Sequence, residues 1–221
     1  MTSTSASSCD DCGPDERPVF LEGGDELAKE LREIAFGLLL STRRAVEAST
    51  LARLIGAEVA AVVDALDSLA RAGRIDRDDR GRVVGSAGLT IADGPHGLEV
   101  DGHSFRTWCA FDALGIPVAL AADGRVETTC GVCGRTIRVD VRAGQPAADP
   151  SPRLWLSAGG ADMRADFCTP TVLLCSEEHA SEWARRQPAG GQALTLADAA
   201  DRGARDWASA AAAATRVGGR T

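Results

Sequence analysis

The sequence predicts an α+β protein, with an N-terminal winged-helix-like helical domain followed by a mixed or antiparallel β-sheet domain with flanking helices. Over residues 25–72, apolar side chains recur at three- and four-residue steps, punctuated by Gly56 and Gly73. From Leu89 the texture changes to short β-type runs separated by Gly, Asp and Pro. No apolar run approaches the ~20 residues that a membrane-spanning helix needs, so both regions read as water-facing domains.

Residues 1–24 are rich in Ser, Asp, Gly and Pro, lack periodicity and read as a disordered tail carrying Cys9 and Cys12. A helix begins near Asp25, with Leu27, Leu31, Ile34 and Leu38 on one face. Ser49 or Thr50 is the expected N-cap of a short second helix closed by Gly56. A third helix spans residues 57–72, its apolar face formed by Val59, Val62, Val63, Leu66 and Leu69. Two short β-runs around an Asp-rich turn at 78–81 complete the winged-helix pattern over 25–86.

In the second domain, residues 87–190, G-L-T-I and H-G-L-E-V-D-G read as β-segments, D-G-H-S-F-R as a turn, and 107–114 as a helix. Strands are expected at 125–129, 136–141, 154–156 and 171–174, then a helix over 177–186 begun by Ser176. Residues 191–221 form an Ala-rich C-terminal segment, with one helix expected from Leu196 to Ala214.

The 221 residues carry a formal net charge of −8, and the third helix bears Glu58, Asp64 and Asp67 with arginines only at its end. A DNA-reading helix gathers positive charge against phosphates; the winged-helix-like domain therefore reads as a packing module, and no nucleic-acid partner is expected. Arginine almost wholly replaces lysine, Lys29 being the exception, which reflects genomic base composition rather than function. The first residues lack the basic and apolar regions of a secretory signal, so a cytoplasmic location and reduced thiols are expected. The seven cysteines, Cys9, Cys12, Cys109, Cys130, Cys133, Cys168 and Cys175, are an odd number, which argues against a simple disulfide framework.

Trp108-Cys109-Ala110-Phe111-Asp112 places a thiol and a carboxyl at i and i+3, one turn apart on one helix face. Asp166-Phe167-Cys168 supplies a second thiol. Thiolates are soft ligands suited to Hg(II), Cu(I) and Zn(II). A carboxyl buried beside Phe111 has its ionised form disfavoured and can hold a proton near neutrality. Alone, C-x-x-D also fits a buried cysteine beside a helix-surface aspartate.

The wider string narrows the choice. V-D-G-H-S-F-R-T-W-C-A-F-D-A-L-G-I-P resembles the active-site segment of the organomercurial (alkylmercury) lyase family, V-D-G-x-x-L-Y-A-W-C-A-L-D-T-L-x-F-P. The likeness continues through R-V-E-T-T-C-G, D-M-R-A-D-F-C and T-V-L-L-C-S-E-E-H-A-S-E-W, in family order across residues 88–188. The family also begins with a winged-helix-like domain. By this resemblance Cys109 and Cys168 are the catalytic thiols that hold mercury, Asp112 is the proton donor at the metal, and Cys130 is a structural cysteine in the core. The implied reaction is protonolysis of an organomercurial to a hydrocarbon and Hg(II), without a redox cofactor. Small-molecule thiols would remove the Hg(II), or it would pass to mercuric reductase.

The chain departs from the family pattern at several points. Cys133 makes C-G-V-C-G, half of a zinc-knuckle pattern, and Cys9/Cys12 form another C-x-x-C. The two pairs together would offer four zinc ligands, but more than a hundred residues separate them, and the exposed, unliganded reading is preferred. A tail pair that passes Hg(II) to or from the active site is the other option. Cys175 is expected to pack in a strand, and His96, His103 and His179 to lie on the surface. Leu173 and Leu174 replace phenylalanines and the chain has no tyrosine, which bears on substrate range. Besides the enzyme, a soft-metal-binding or sensing relative without turnover and a winged-helix thiol regulator remain open alternatives. Asp112 separates the first two, because metal capture needs no proton donor.

Overall fold

A computed structural model describes residues 26–219. The tail with Cys9 and Cys12, and the reading of it as disordered, lie outside the described residues. Three helices come first: α1 (Glu26–Thr42), α2 (Ala48–Ile55) and α3 (Val59–Arg71). Leu31 and Leu39 of α1, Leu51 of α2, and Val62 and Leu66 of α3 are fully buried, as the apolar periodicity requires. Gly56 closes α2 in the left-handed region at φ 70°. The α2 N-cap is Glu47, not Ser49 or Thr50. Val46 pairs in both directions with Val83, by amide–carbonyl bonds of 2.8 and 2.9 Å, and this bridge sets the helix start ahead of the two hydroxyl residues.

The hairpin β1 (Ile75–Arg77) and β2 (Val83–Ser86) follows, then β3 (Leu89–Thr90), β4 (His96–Val100) and β5 (His103–Thr107). The D-G-H-S-F-R turn shrinks to Asp101 and Gly102, both at positive φ (47° and 77°), and His103 onward is strand. Two left-handed residues make the tight connection whose twist suits a two-residue hairpin, so Val100 pairs directly with His103. Helix α4 (Ala110–Ala119) comes next, starting later and ending later than expected. Residues Ala110 to Val118 are all buried, so α4 is a central core helix whose length is set by its surroundings rather than by an apolar stripe.

The remaining elements are β6 (Gly124–Thr129), β7 (Thr136–Arg142), β8 (Gln145–Pro146), β9 (Arg153–Ser157), a π-helical turn (Met163–Cys168), β10 (Val172–Leu174), α5 (Glu177–Ala184), β11 (Gly191–Leu194), α6 (Leu196–Asp206) and α7 (Ala208–Gly218). An eight-stranded antiparallel sheet runs β1-β2-β3-β5-β4-β6-β7-β8, and a three-stranded one runs β10-β9-β11. The fold is thus α+β with antiparallel sheets. The large sheet passes through residues 86 and 87 without interruption, since Ser86 pairs with Leu89 across the β2–β3 turn.

The single C-terminal helix expected over 196–214 is two helices broken at Trp207. Its indole is buried, donates from Nε1 to the Ala87 carbonyl at 2.8 Å, and meets Phe111 edge-on with ring centroids 5.1 Å apart. Anchoring this ring in the core redirects the chain. Alongside, Gly115 of α4 faces Gly203 of α6, where a Cβ on Gly203 would stand 2.5 Å from the Gly115 Cα. The two helices approach backbone to backbone, and this contact presses α4 into the centre.

Candidate active site

Cys109 is the N-cap of α4, and Asp112 is the third residue of the helix. The Asp112 amide donates to the Cys109 sulfur at 3.5 Å, while Asp112 Oδ2 accepts from the Cys109 amide at 2.7 Å. The pair forms a capping box with sulfur in the place of a hydroxyl, which accounts structurally for the three-residue spacing. Both side chains are fully buried.

Cys168 ends the π-helical turn, whose start is capped by the Asp162 side chain accepting from the amides of Arg164 and Ala165. Thr171 joins this turn to α4. Its amide donates to the Cys168 carbonyl at 3.2 Å, its carbonyl accepts from the Ala110 amide at 3.2 Å, and its hydroxyl accepts from the Ser157 amide at 3.1 Å. Residues distant in sequence are thereby brought together, and the ligand atoms of Cys109, Asp112 and Cys168 all lie within 4.8 Å of one another.

Burial dominates the electrostatics. Desolvation raises the Asp112 carboxyl to about 6, against the hydrogen bonds from Cys109 and the positive charge of Arg164. Its Oδ1 is buried without a hydrogen-bond partner, leaving one oxygen uncommitted. The Cys109 thiol is pushed well above its ordinary value by desolvation, then by the Cys168 hydrogen bond and the Asp112 charge. A helix N-terminus ordinarily favours a thiolate; here burial outweighs it.

Gly88, at φ 87°, lies directly against the carboxyl: a Cβ there would be 2.4 Å from Asp112 Oδ1 and Cγ. Arg164 sits 3.3 Å over the Trp108 ring, donates from Nε to the Gly73 carbonyl at 2.7 Å, and pairs with Asp76 at 2.6 Å. Trp108 Nε1 donates to the same Asp76 carboxylate at 2.6 Å. The β1 edge is therefore clamped to the segment that carries Cys168. Arg74 is also near that thiol, its pKa lowered by burial and supported by the Cys168 charge. Sequence reading missed Gly88, Thr171, Arg74 and Arg164; only the A-G pair before a strand signals a tight turn at Gly88.

A second cluster gathers Cys130, Cys133, Cys175 and His179, with ligand atoms again within 4.8 Å of one another. Cys130 is buried, Cys133 exposed and Cys175 half-buried. His179 is half-buried rather than on the open surface, because the Ser176 N-cap orients the first turn of α5 and aims its ring back at Cys175. The four-residue step from Cys175 to His179 was the available signal. Cys175 packs against the core, as expected, but one residue beyond β10, and its sulfur faces Cys133 and His179. His96 is likewise buried: its Nδ1 is 2.6 Å from Thr128 Oγ1 and burial lowers its pKa to about 4. His103 is exposed, as expected.

A family model described as MerB, alkylmercury lyase, matches residues 89–209. The alkylmercury lyases of Bacillus cereus and Clostridium butyricum are each 30% identical over 186 residues, covering 82% of this chain and 82% of theirs. That of Pseudomonas putida is 32% identical over 115 residues, or 50% of this chain and 54% of its own. Among solved structures, the mercury-bound form of MerB2 superposes with a TM-score of 0.74 at 26% identity, covering 86% of this chain and 93% of that one. With the model matching more than half of its residues, the chain belongs to the alkylmercury lyase family.

Proposed function

We propose that the protein cleaves carbon–mercury bonds by protonolysis, with Cys109 and Cys168 as metal-binding nucleophiles and Asp112 as proton carrier. The observation that carries this reading is the placement of two thiols and one carboxyl within 4.8 Å in a buried site. Hg(II) capture alone would need only the thiols. An acid poised at about 6, with one unbonded oxygen, adds the means to deliver a proton.

The substrate is an organomercury cation, R–Hg⁺. Cys109 forms the first Hg–S bond while its proton passes to Asp112, whose carboxylate form predominates above pH 6. Cys168 forms the second Hg–S bond and releases its proton to solvent. Two thiolates push electron density onto mercury, and the electron pair of the C–Hg bond takes the proton held by Asp112. The sum is R–Hg⁺ plus two thiols giving R–H, Hg(II) bridged by two thiolates, and one H⁺. Mercury stays Hg(II) throughout, so the reaction calls for no redox cofactor. Small-molecule thiols, or a mercuric reductase receiving the ion, would clear the product, and the reaction would run in the cytoplasm.

In the same reading, α1–α3 with β1–β2 are a winged-helix-like packing module. Asp64 and Asp67 on the exposed side of α3 oppose a DNA-facing role. Among the described residues, no helix is long and apolar enough to cross a membrane. Purified protein given phenylmercury and excess thiol is expected to release benzene. Unchanged release by Cys109→Ser or Asp112→Ala would contradict the assignment.

A further inference from the structure

We infer that Cys130, Cys133, Cys175 and His179 form a structural zinc site, separate from the catalytic thiols. The donor set is three sulfurs and one imidazole nitrogen, a combination characteristic of closed tetrahedral zinc centres. Zn–S bonds of about 2.3 Å and a Zn–N bond of about 2.0 Å at the tetrahedral angle put sulfurs ~3.8 Å apart and sulfur and nitrogen ~3.5 Å apart. Cys133 Sγ to Cys175 Sγ is 3.7 Å, and Cys130 Sγ to His179 Nδ1 is 3.6 Å. Cys175 Sγ to His179 Nδ1 is 3.1 Å, the contact of a thiol–imidazole hydrogen bond that ligation would open. Two of these separations thus match metal-centred spacing, and all four ligand atoms, from three thiols and one ring, lie within 4.8 Å of one another.

The backbone supports the same reading. Residues 130–134 form a tight knuckle: the Gly134 amide donates to the Cys130 carbonyl at 2.9 Å and the Cys130 amide to the Arg135 carbonyl at 2.8 Å, with Gly134 at φ 69°. Cys175 and His179 come from the β10–α5 junction, the latter fixed by the Ser176 cap. A metal here would staple the β6–β7 turn to that junction. Strand β10 runs from it back to Thr171, which holds Cys168 and α4, so the staple steadies the scaffold of the active site from its far end. Four protein ligands leave no position for substrate, which suits a structural rather than catalytic centre. Binding Zn(II) displaces the three thiol protons and changes no oxidation state.

The full-length reduced protein, reconstituted with Zn(II) and freed of excess metal, is expected to retain one zinc per chain. Co(II) in its place should give the absorption of tetrahedral thiolate-bound cobalt. Zinc should be retained by Cys109→Ser and Cys168→Ser and lost from Cys133→Ser and His179→Ala. Because the last two variants can misfold, alkylation of the wild-type thiols is mapped by mass with and without chelator. Cys130, Cys133 and Cys175 should be protected by zinc and exposed by chelation. Zinc-independent alkylation of these three, or zinc lost with Cys109 and Cys168 instead, would overturn the assignment. It stands apart from the lyase reading, since no readout involves turnover.

Discussion

Two thiol clusters share one chain, and they differ in what accompanies the sulfur. At Cys109 and Cys168 the third group is a carboxyl, all three are buried, and the donor set is one short of a closed tetrahedron. At Cys130, Cys133 and Cys175 the fourth position is the imidazole of His179, and the cluster reaches the surface through Cys133. An incomplete set with a proton carrier suits a metal that arrives with a group to be cleaved. A complete set without one suits a metal that stays. The residues that hold each set follow suit: helix N-cap and core helix for the first, a surface knuckle and helix start for the second.

The largest effect that would break this contrast falls on Asp112. Replacing it with Asn removes the proposed proton carrier while keeping an oxygen that can cap α4. Turnover of phenylmercury should fall about 10²–10⁴-fold, the usual range for a positioned acid or base. An equal fall from a substitution in the second cluster, at unchanged stability, would erase the distinction between the two sites.

The same substitution should move stability the other way. Asp112 has its folded pKa raised to about 6, so the unfolded carboxyl ionises at lower pH than the folded one. As pH rises from about 4 to 6, the folded state holds more protons than the unfolded state and wild type loses stability. Above pH 6 the loss levels off at about 3 kcal/mol for a shift of roughly two units. Asp112→Asn should therefore be more stable than wild type at pH 8 by up to that amount, with the gain disappearing below pH 4. Denaturant midpoints at the two pH values measure it.

A smaller effect is expected at Gly88. A methyl there meets the Asp112 carboxyl at 2.4 Å and sits on a residue at φ 87°. Gly88→Ala should cost about 1–3 kcal/mol in stability and depress turnover, because the carboxyl must shift. Thermal melting and benzene release report both. The smallest effect is at Arg164. Its partly exposed pair with Asp76 is worth about 1 kcal/mol or less. However, its charge holds the Asp112 pKa down, so Arg164→Ala should move the pH dependence of turnover to higher pH.

Much of this arrangement can be read along the chain, and the limit is set by distance in sequence. Cys109 and Asp112 are three residues apart, and the capping box that joins them is a local motif. The pairing of Cys109 with Cys168 had no local signal and rested on family resemblance, because Thr171 supplies the link through backbone groups that any residue carries. Gly88 touches Asp112 only after the β2–β3 turn folds over α4. The second cluster is half legible: C-G-V-C-G announces a knuckle, but the matching C-x-x-C in the sequence is the tail pair Cys9/Cys12. Cys175 and His179, four residues apart across a strand–helix junction, read separately as a packing residue and a surface residue. In secondary structure, the departures at Trp207 and His103 arise where a buried ring and a two-residue turn override local propensity.

In the proposed reaction, two thiols capture the metal and a separate carboxyl delivers the proton. A single-turnover experiment with equimolar phenylmercury and the Asp112→Asn protein tests it directly, following protein-bound mercury and released benzene together. Phenylmercury is expected to bind through the thiols and stay intact, with benzene release slowed at least about a hundredfold relative to wild type. Benzene released at the wild-type rate would contradict it.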